Sequence, residues 1–421
     1  MLYIVVYNIF LLFYRTGIRV ASLWDPKARK WVKGRKNIFQ KIQTAIPKTD
    51  SIIWFHCSSL GEFEQGKPIL ERIRKQHGNH KILVTFFSPS GLEAIKNHKG
   101  LDHIFYLPMD SKVNAKRFLD LVNPSLVIFV KYEFWYYYLQ DIQKRNIPLL
   151  LVSAVFRKEQ PFFKWYGVLH RKMLSFFTHI FVQNDGSKKL LSEIGLKEKT
   201  SVCGDTRFDR VMQIASNPEV NPAIDTFVGE NKLMVAGSTW KDDEEMIARV
   251  MRELNDSSLK LIIAPHEIDA KHLKEIRKLF PDSIYYSEFQ KAVSEMKSKN
   301  VLIIDNVGLL SRLYGYSHVS YVGGGFTNDG VHNVPEAAVY GKPVLFGPNF
   351  QKYSEAIELI ESGGGLSVSS PEEMKKQVSI LLADEQVHRE RSEASRNYVM
   401  KNTGAVEKII QYIQENRLLT S

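Results

Sequence analysis

From residue 51 onward, short apolar runs alternate with polar stretches of helical length, and this alternation limits the possible folds more than any other feature. Repeated strand and helix periods are the pattern of a parallel sheet with helices on both faces. The runs SLVIFV (residues 125–130) and LKLIIAP (residues 259–265) are apolar almost throughout, as strands covered on both faces are. The sequence therefore predicts an α/β protein built from doubly wound, Rossmann-like sheets.

The predicted strands form two series separated by a pause. The first series comprises residues 52–57, 81–87, 103–107, 126–130, 148–153, 179–183 and 201–203. The second series comprises residues 233–236, 259–264, 283–286, 301–304, 318–322 and 343–346. In the pause, NPEVNPAIDTFVG (residues 217–229), two Asn-Pro pairs and the loss of apolar periodicity predict a linker.

These patterns predict two domains behind an N-terminal segment. The predicted parts are a membrane-anchoring segment (1–48), a first Rossmann-like domain (49–215), a linker (216–230) and a second Rossmann-like domain (231–421). Two such domains are expected to face each other across a cleft and to bind ligands beyond the carboxyl ends of their strands. The last helical stretch, residues 384–418, is a candidate to pack back across that cleft.

Positive charge is concentrated near the start of the chain. The formal net charge is +11, yet residues 15–48 alone hold ten Lys and Arg against one acid, Asp25. This block directly follows the apolar residues 2–14 (LYIVVYNIFLLFY), an arrangement that favours anionic lipid headgroups over nucleic acid. The candidate membrane-binding cations are Arg15, Arg19, Lys27, Arg29, Lys30, Lys33, Arg35 and Lys36.

The apolar start itself is shorter than the ~20 residues that a transmembrane helix needs. It is therefore interpreted as an interfacial anchor, an interpretation favoured by Trp24 and Trp31 among the lysines. If the segment inserts, the positive charge that follows it places the rest of the chain in the cytoplasm. The alternative is an ordinary first helix buried in the protein.

Composition excludes several other classes of protein. A hydrophobic content of 44% excludes intrinsic disorder, and the two distant cysteines, Cys57 and Cys203, provide neither a disulfide framework nor a cysteine zinc site.

Two glutamates follow predicted strands of the first domain. Glu62 comes just after the strand at 52–57, in the first turn of a predicted helix, and Glu133 follows the strand at 126–130. A carboxylate held at a strand end is placed to take a proton from an attacking hydroxyl. The structural alternatives are a helix-start acid for Glu62 and a surface ion pair with a lysine for Glu133.

The second domain opens with a candidate phosphate site. Gly237 permits a turn after the first strand, and Ser238, Thr239 and the following helix amides could hold a phosphate. Four acids at 242–245 oppose this interpretation because they would repel an anion. The alternative is a plain Ser or Thr helix cap.

The most informative stretch is YVGGGFTNDGVHNVPE, residues 321–336. Gly323, Gly324 and Gly325 would let the backbone approach a ligand closely. Asn333 and Glu336 have the spacing of a capping box, which could aim free amides at a phosphate while Glu336 accepts ribose hydroxyls. A GxGxxG fingerprint is absent from the first strand, so a nucleotide-sugar donor is favoured over NAD.

Taken together, the motifs resemble those of the Kdo (3-deoxy-D-manno-oct-2-ulosonic acid) transferases of lipopolysaccharide assembly. The likeness covers nearly the whole chain. It rests on the apolar and basic start, SLGE (59–62), Glu133 with Trp135, FVQN (181–184), GDTRFD (204–209), AGST (236–239), APHE (264–267), residues 323–336 and GKPVLFGP (341–348).

The resemblance implies a membrane-attached glycosyltransferase of GT-B architecture. Such an enzyme moves Kdo from CMP-Kdo to a lipid A precursor of the lipid IVA type, with inversion at the anomeric carbon, at the cytoplasmic face of the inner membrane. Glu62 would be the general base and Glu133 would assist in the acceptor region. The CMP phosphate would meet Ser238, Thr239, the turn at Gly323, Gly324 and Gly325, and Asn333, with Glu336 on the ribose. No cofactor or metal is expected.

Two positions depart from the family pattern. Lys131 stands where relatives commonly have an acid two places before the second glutamate, and Pro265-His266-Glu267 stands where they commonly have Pro-Arg-His. The second departure removes an arginine that could meet phosphate charge, and His266, Lys241 or Lys352 could replace it. The alternative functions are another GT-B nucleotide-sugar transferase, a UDP-sugar epimerase and a noncatalytic membrane scaffold.

Overall fold

The computed structural model describes residues 2–96, 98, 100–291 and 297–419, with the side chains of 289–291 excepted. The chain forms two compact units. The first unit comprises Met1–Arg210 and Gly404–Ser421, and the second comprises Val211–Thr403.

Each unit is built on a parallel seven-stranded sheet. In the first sheet the order is β3-β2-β1-β4-β5-β6-β7. Its strands are β1 (Ile52–Cys57), β2 (Lys81–Phe86), β3 (His103–Tyr106), β4 (Pro124–Val130), β5 (Leu149–Ala154), β6 (His179–Val182) and β7 (Thr200–Val202). Chain order reverses beside β1, which is the switch point where doubly wound sheets bind ligands.

The helices of the first unit are mostly crossovers between these strands. They are α1 (Leu2–Ala21), α2 (Pro26–Gly34), α3 (Ile38–Ala45), α4 (Leu60–Gln76), α5 (Pro89–Ile95), α6 (Lys112–Val122), α7 (Tyr136–Lys144), α8 (Val168–Ser175) and α9 (Asp185–Glu193). Short 3₁₀ helices lie at Pro161–Phe163 and Lys197–Lys199, and α10 (Thr206–Ala215) leads into the second unit.

The second sheet has the order β10-β11-β9-β8-β12-β13-β14, with its own switch point beside β8. Its strands are β8 (Lys232–Thr239), β9 (Leu259–Pro265), β10 (Ser283–Tyr285), β11 (Val301–Ile303), β12 (Val319–Val322), β13 (Val344–Phe346) and β14 (Gly365–Ser367). The helices are α11 (Pro222–Val228), α12 (Lys241–Leu254), α13 (Ala270–Leu279), α14 (Leu310–Leu313), α15 (Pro335–Ala338), α16 (Ser354–Glu361), α17 (Pro371–Ala383) and α18 (Glu385–Asn402), with 3₁₀ helices at Tyr286–Lys291 and Tyr314–Tyr316.

Alternating side chains of the central strands fill the layers on both faces of each sheet. In β1, Ile52 and Trp54 belong to the core on one face, while Ile53 and Phe55 belong to the core on the other. All of these side chains are buried, because successive residues of a strand point to opposite faces. The predicted α/β class with two doubly wound sheets is therefore confirmed.

Two predicted segments differ from the structure. The predicted linker contains α11, whose Ile224 and Phe227 are buried and whose first turn is capped by the Asn221 side chain. The predicted final helical stretch is interrupted at Gly404, which has a φ of 100°. The helix that follows, α19 (Ala405–Glu415), belongs to the first unit and packs its apolar side chains into that core.

The first helix is longer than the sequence pattern suggested. α1 has 20 residues, and it is the one helix of the described part that is long and apolar enough to cross a membrane. Its large exposed apolar side chains are Leu2, Val5, Val6, Ile9, Phe10, Leu12, Phe13 and Val20. The length objection to a membrane span was therefore wrong, and so was the alternative of an ordinary buried helix, since only Tyr7 and Leu11 are buried.

Candidate functional site

Glu62 lies at the carboxyl end of β1, where Ser59 caps α4. The backbone N–H of Ser59 donates to Glu62 Oε2 at 2.9 Å, and the Ser59 hydroxyl contacts the same oxygen. This is a capping box, a more specific arrangement than the helix-start acid that was the structural alternative for Glu62. Within the described residues, Oε1 of Glu62 has no hydrogen-bond partner, and the side chain is half-buried. One oxygen therefore fixes the carboxylate while the other is left to accept a proton.

Glu133 follows β4, the strand beside β1, and it is held by aromatic donors rather than by a surface lysine. Trp135 Nε1 donates to Glu133 Oε2 at 2.6 Å, and His56 Nε2 lies 3.4 Å from the same oxygen. Burial acts to raise the pKa of Glu133, but hydrogen bonds from His56, Ser58 and Trp135 outweigh it, and the net pKa lies below its ordinary value. Glu133 is therefore an anion with a fixed orientation.

A polar network behind Glu133 was missed by the sequence interpretation. His56 Nδ1 lies 2.9 Å from Thr85 Oγ1, and Trp54 Nε1 donates to the same hydroxyl at 2.7 Å. His56 and Thr85 are paired in register across β1 and β2. The signal was present, because His56 is the one polar residue in the run IIWFHC.

The two glutamates lie near the same thiol. Burial raises the pKa of Cys57 well above its ordinary value, and the charges of Glu62 and Glu133 add to that effect. The structure therefore brings these two predicted site residues to one edge of the first sheet. Cys57 and Cys203 are both free and buried.

An apolar cavity of about 1110 Å³ adjoins Glu133. Its wall combines residues of α1, the turn after β4 and the segment that leads into α8. The lining includes Leu2, Tyr3, Val6, Tyr7, Phe10, Tyr132, Phe134, Trp135, Phe162, Trp165 and Leu169. Trp165 is 89% exposed, so the rim of the cavity is itself apolar. Such a cavity suits the hydrocarbon part of an amphiphilic ligand.

A buried polar contact fixes α1 in this wall. The Tyr7 hydroxyl donates to Asp110 Oδ2 at 2.7 Å and accepts the backbone N–H of Tyr136 at 3.2 Å. Asp110 also accepts the backbone N–H groups of Tyr137 and Tyr138. Burial raises the pKa of Asp110 to about 6. α1 is therefore attached to the first unit by a specific hydrogen-bonded contact.

In the second unit, the three glycines allow backbone to approach backbone. A Cβ on Gly323 would lie 2.3 Å from Ser238 O, and one on Gly325 would lie 2.5 Å from Gly347 N. Gly324 has a φ of 90°, which favours glycine. The fold itself therefore requires glycine at Gly323 and Gly325, because the ends of neighbouring strands occupy the space of a Cβ.

Of the two predicted phosphate-binding hydroxyls, Thr239 is already engaged within the fold. Its hydroxyl donates to Glu244 Oε1 at 3.0 Å, and Glu244 Oε2 lies 2.9 Å from His272 Nε2. Burial raises the pKa of Glu244. Ser238 has a positive φ of 53°, is half-buried and has no side-chain partner in the described part of the chain. Ser238 is therefore the better candidate of the two.

Asp243 takes three donors at the start of α12. Its carboxylate accepts the backbone N–H of Trp240 at 2.9 Å, that of Gly324 at 2.9 Å and the Tyr321 hydroxyl at 2.6 Å. Asp243 is fully buried, and burial raises its pKa. Two of the four acids that oppose an anion at this helix, Asp243 and Glu244, thus serve the fold, whereas Asp242 and Glu245 are exposed.

Beside them, three rings form a stack. His266 lies against Trp240 with ring centroids 4.8 Å apart, and against His332 with centroids 4.4 Å apart. Trp240 Nε1 donates to His332 Nε2 at 2.9 Å. Burial, followed by the charge of His266, lowers the pKa of His332 to about 4. His332 is therefore neutral at pH 7. His266 is exposed, so its ring is accessible to a ligand.

Asn333 and Glu336 interact, but not as the predicted capping box. The helix cap is Val334, because Pro335 occupies the first position of the four-residue α15. Instead, Asn333 Nδ2 donates to Glu336 Oε1 at 2.7 Å. Asn333 Oδ1 is buried and has no partner in the described part of the chain.

The candidate cations occupy different environments. Lys241 pairs with Glu245 at 3.7 Å, and Lys352 donates to Asn328 O at 3.2 Å. In the first unit, Arg15, Arg19, Lys27, Arg29, Lys30, Lys33 and Lys36 are exposed. Arg35 is not, because its guanidinium lies 3.8 Å from the Trp31 ring centroid and donates to Leu107 O and Phe87 O. Its expected role as a surface cation is therefore corrected to a structural one.

Among the described residues, no group of three or more His, Cys, Asp or Glu is placed to hold a metal ion.

A family model and a curated relative both match this chain and name the same kind of enzyme. Residues 32–210 match the family model of 3-deoxy-D-manno-octulosonic-acid transferase (Kdo transferase). A 3-deoxy-D-manno-octulosonic acid transferase of Aquifex aeolicus is 30% identical over 355 residues, which cover 82% of this chain and 91% of that protein.

Two further matches extend the comparison. A bifunctional glycosyltransferase/methyltransferase of Fusobacterium nucleatum is 27% identical over 383 residues, 88% of this chain, and the match spans 56% of that longer protein. Among solved structures, UDP-GlcNAc 2-epimerase from Neisseria meningitidis bound to UDP-GlcNAc matches with a TM-score of 0.62 at 16% identity, covering 87% of this chain and 100% of that one.

The epimerase likeness concerns the fold, which is the GT-B type. The sequence relatives go further, because one of them reaches 30% identity over most of both chains. The chain belongs to the Kdo transferase family of glycosyltransferases.

Proposed function

We propose that this chain transfers Kdo from CMP-Kdo to a lipid A precursor of the lipid IVA type, with inversion at the anomeric carbon. The observation that carries the proposal is the carboxylate of Glu62, whose Oε2 is fixed by Ser59 while Oε1 has no partner in the described part of the chain. The identity of the sugar is inferred from the family, and the general base is inferred from the Glu62 carboxylate. A noncatalytic scaffold would need the oxygen that Ser59 engages but not the second one.

The proposed reaction needs one base and a stabilised leaving group. Glu62 Oε1 accepts the proton of the acceptor hydroxyl as that oxygen attacks the anomeric carbon, and CMP leaves with the electrons of the broken bond. The backbone N–H of Ser59 keeps Glu62 oriented. Glu133, held by Trp135 and His56, orients the acceptor through a hydrogen bond.

The acceptor is proposed to be a lipid because an apolar cavity adjoins Glu133. The cavity of about 1110 Å³ is large enough for acyl chain, and α1 forms one of its walls. The same helix carries exposed apolar side chains that suit a bilayer. We therefore place the enzyme at the cytoplasmic face of the inner membrane, with the basic block of residues 15–48 at the headgroups.

The donor is proposed to bind the second unit. Ser238 and the backbone turn at Gly323, Gly324 and Gly325 receive the CMP phosphate, with His266 beside it. Asn333, which donates to Glu336, lies at the phosphate, and Glu336 binds the ribose hydroxyls. Thr239 acts indirectly, by holding Glu244 and the start of α12. No metal is required in this proposal, so chelation with EDTA should leave the rate unchanged.

Product mass tests the proposal. The purified chain is incubated with CMP-Kdo and lipid IVA in detergent, and the lipid is examined by mass spectrometry. The expected result is lipid IVA carrying one or more Kdo residues, with CMP released in equal amount. Unchanged lipid together with conversion of UDP-GlcNAc to its 2-epimer would contradict the proposal in favour of an epimerase. No turnover of either donor would favour a scaffold.

A further inference from the structure

A second cavity of the first unit carries positive charge and no negative charge. It has a volume of about 680 Å³ and lies between the second half of α1, the turn from α2 to α3 and the start of α6. Six cations line it, namely Arg15, Arg19, Lys33, Arg35, Lys36 and Arg117, and no Asp or Glu is among the lining residues. Since like charges held together repel, a bound anion would reduce the repulsion among these cations.

Most of these cations are uncommitted. Arg15, Arg19, Lys33 and Lys36 make no side-chain hydrogen bond or ion pair within the residues that the structure describes. Only two are fixed by rings, because Arg35 lies over Trp31 and Arg117 lies 4.5 Å from the centroid of Phe39. The cavity therefore has two cations held in place by aromatic rings and four exposed cations that can turn toward a ligand.

One polar group of the wall is closed to a ligand. Trp31 lines the cavity and is 6% exposed, and its indole Nε1 is buried with no acceptor among the described residues. Because that N–H is shielded, the groups that can reach a ligand are the guanidinium and ammonium groups of the cavity. Clustered charged donors of this kind are what phosphate groups prefer.

The position of the cavity indicates what carries the phosphate. Leu12, 63% exposed, precedes Arg15 by three residues and Arg19 by seven, so it lies on the same face of α1 as these two cations of the rim. A ligand bound here would have its charged end in the cavity and an apolar neighbour along the helix. That arrangement fits a membrane lipid better than a free ion, because α1 itself suits the bilayer.

We propose that this cavity binds the phosphate headgroup of a bilayer lipid, with preference for a phosphomonoester over a phosphodiester. The preference follows from charge, because a monoester carries about −1.5 to −2 at pH 7 and a diester carries one negative charge. The site is separate from the apolar cavity beside Glu133, and its occupation does not depend on sugar transfer.

Vesicle binding tests the preference. The full chain is mixed with phosphatidylcholine vesicles that contain either phosphatidic acid, a monoester, or phosphatidylglycerol, a diester, at fractions adjusted to equal surface charge. The expected result is about tenfold tighter binding to phosphatidic acid. Equal affinity for the two vesicles would overturn the proposal.

Two double variants separate the cavity from general basic charge. Arg19→Gln with Lys36→Gln removes two cations of the cavity, and both side chains are exposed, so the fold should tolerate the change. Lys27→Gln with Lys41→Gln removes two exposed cations of the same segment that do not line the cavity. We expect the first variant to lose the preference, to less than about twofold, and the second to keep it while binding both vesicles more weakly. The reverse pattern, or equal loss of preference in both, would overturn the proposal.

Inorganic phosphate distinguishes a lipid from a free ion. Added at the same concentration as accessible phosphatidic acid, it should leave the preference intact, because the lipid is also held by the bilayer. If it abolishes the preference at that concentration, the site recognises free phosphate, and the lipid assignment is wrong. None of these measurements requires catalysis, so they can succeed even if the proposed transfer reaction fails.

Discussion

Glu62 and Asp243 occupy equivalent positions in the two units, yet their environments differ. Each is the third residue of the helix that follows the first strand of its sheet, and each accepts the backbone N–H of its cap at 2.9 Å, from Ser59 and Trp240 respectively. Asp243 accepts two further donors, Tyr321 and Gly324, and is fully buried. Glu62 is half-buried and keeps Oε1 without a partner in the described part of the chain.

The difference shows why an acid after a strand is an ambiguous signal. The same position in the same topology can hold a carboxylate whose oxygens are all used by the fold, or one with an oxygen to spare. The distinction is made by donors from distant parts of the chain, such as Tyr321, which is 78 residues away from Asp243. We therefore expect substitution to affect stability at Asp243 and catalysis at Glu62.

The largest effect on stability is expected from Asp243→Asn. The amide nitrogen of Asn cannot accept, so at least one of the three donors at this position loses its partner. The free energy of unfolding of the second unit should fall by about 3 kcal/mol. Hydrogen exchange of peptides from β8, α12 and β12 measures this directly. As a matched control, Glu62→Gln should leave the exchange of the first unit almost unchanged, because Gln still accepts from Ser59.

If the peptides of β8, α12 and β12 exchange as slowly in Asp243→Asn as in the wild type, the contrast between Asp243 and Glu62 is wrong. It would mean that the three hydrogen bonds at Asp243 are not what holds α12 to β12.

A smaller effect is expected from His56→Gln in the first unit. The substitution removes a buried ring that contacts both Thr85 and Glu133. The free energy of unfolding should fall by about 2 kcal/mol. The pKa of Glu133 should rise, because the hydrogen bond from His56 that lowers it is lost. Urea unfolding at pH 7 measures the first change, and NMR titration of the carboxyl carbon measures the second. An unchanged Glu133 pKa would show that His56 does not support the anion.

The smallest effect concerns pH and His332. Its pKa is about 4 in the folded chain against an ordinary 6.5, so the unfolded chain binds more protons between these values. Stability should therefore fall as pH decreases from 6.5 to 4, by about 1 kcal/mol for this half-exposed ring. Asp243 and Glu244 have raised pKa values and act in the opposite direction, so the effect is read as the difference between wild type and His332→Gln in urea unfolding. Parallel pH curves for the two proteins would contradict this assignment.

Much of the fold could be predicted from the sequence, because strands buried on both faces leave continuous apolar runs. The run at residues 52–57 matches β1 (Ile52–Cys57), and each of the other predicted strands overlaps an observed one. β14 was missed, since Gly365–Ser367 has three residues and no apolar run. The segment at 216–230 predicts a linker because its Asn-Pro pairs are typical of loops, although Asn221 and Pro222 begin a helix.

The candidate site was less predictable, because its details depend on contacts between distant residues. The engagement of Thr239 with Glu244 and the cation–π contact of Arg35 with Trp31 leave no trace in local sequence. The cap at Val334 could have been found, since a proline such as Pro335 often occupies the first position of a helix. The roles of Glu62, Glu133, Ser238, His266 and Glu336 stay predictions.

Single-turnover kinetics of Glu62→Gln test the central claim most directly. The variant and the wild type are saturated with CMP-Kdo, mixed with lipid IVA and followed to one product per enzyme, with CMP affinity measured separately. A carboxylate that acts as the base predicts a rate constant lower by about 10² to 10⁴-fold at unchanged CMP affinity. A rate constant within a few-fold of wild type would contradict the account, because the oxygen that Ser59 leaves free would then have no part in the reaction.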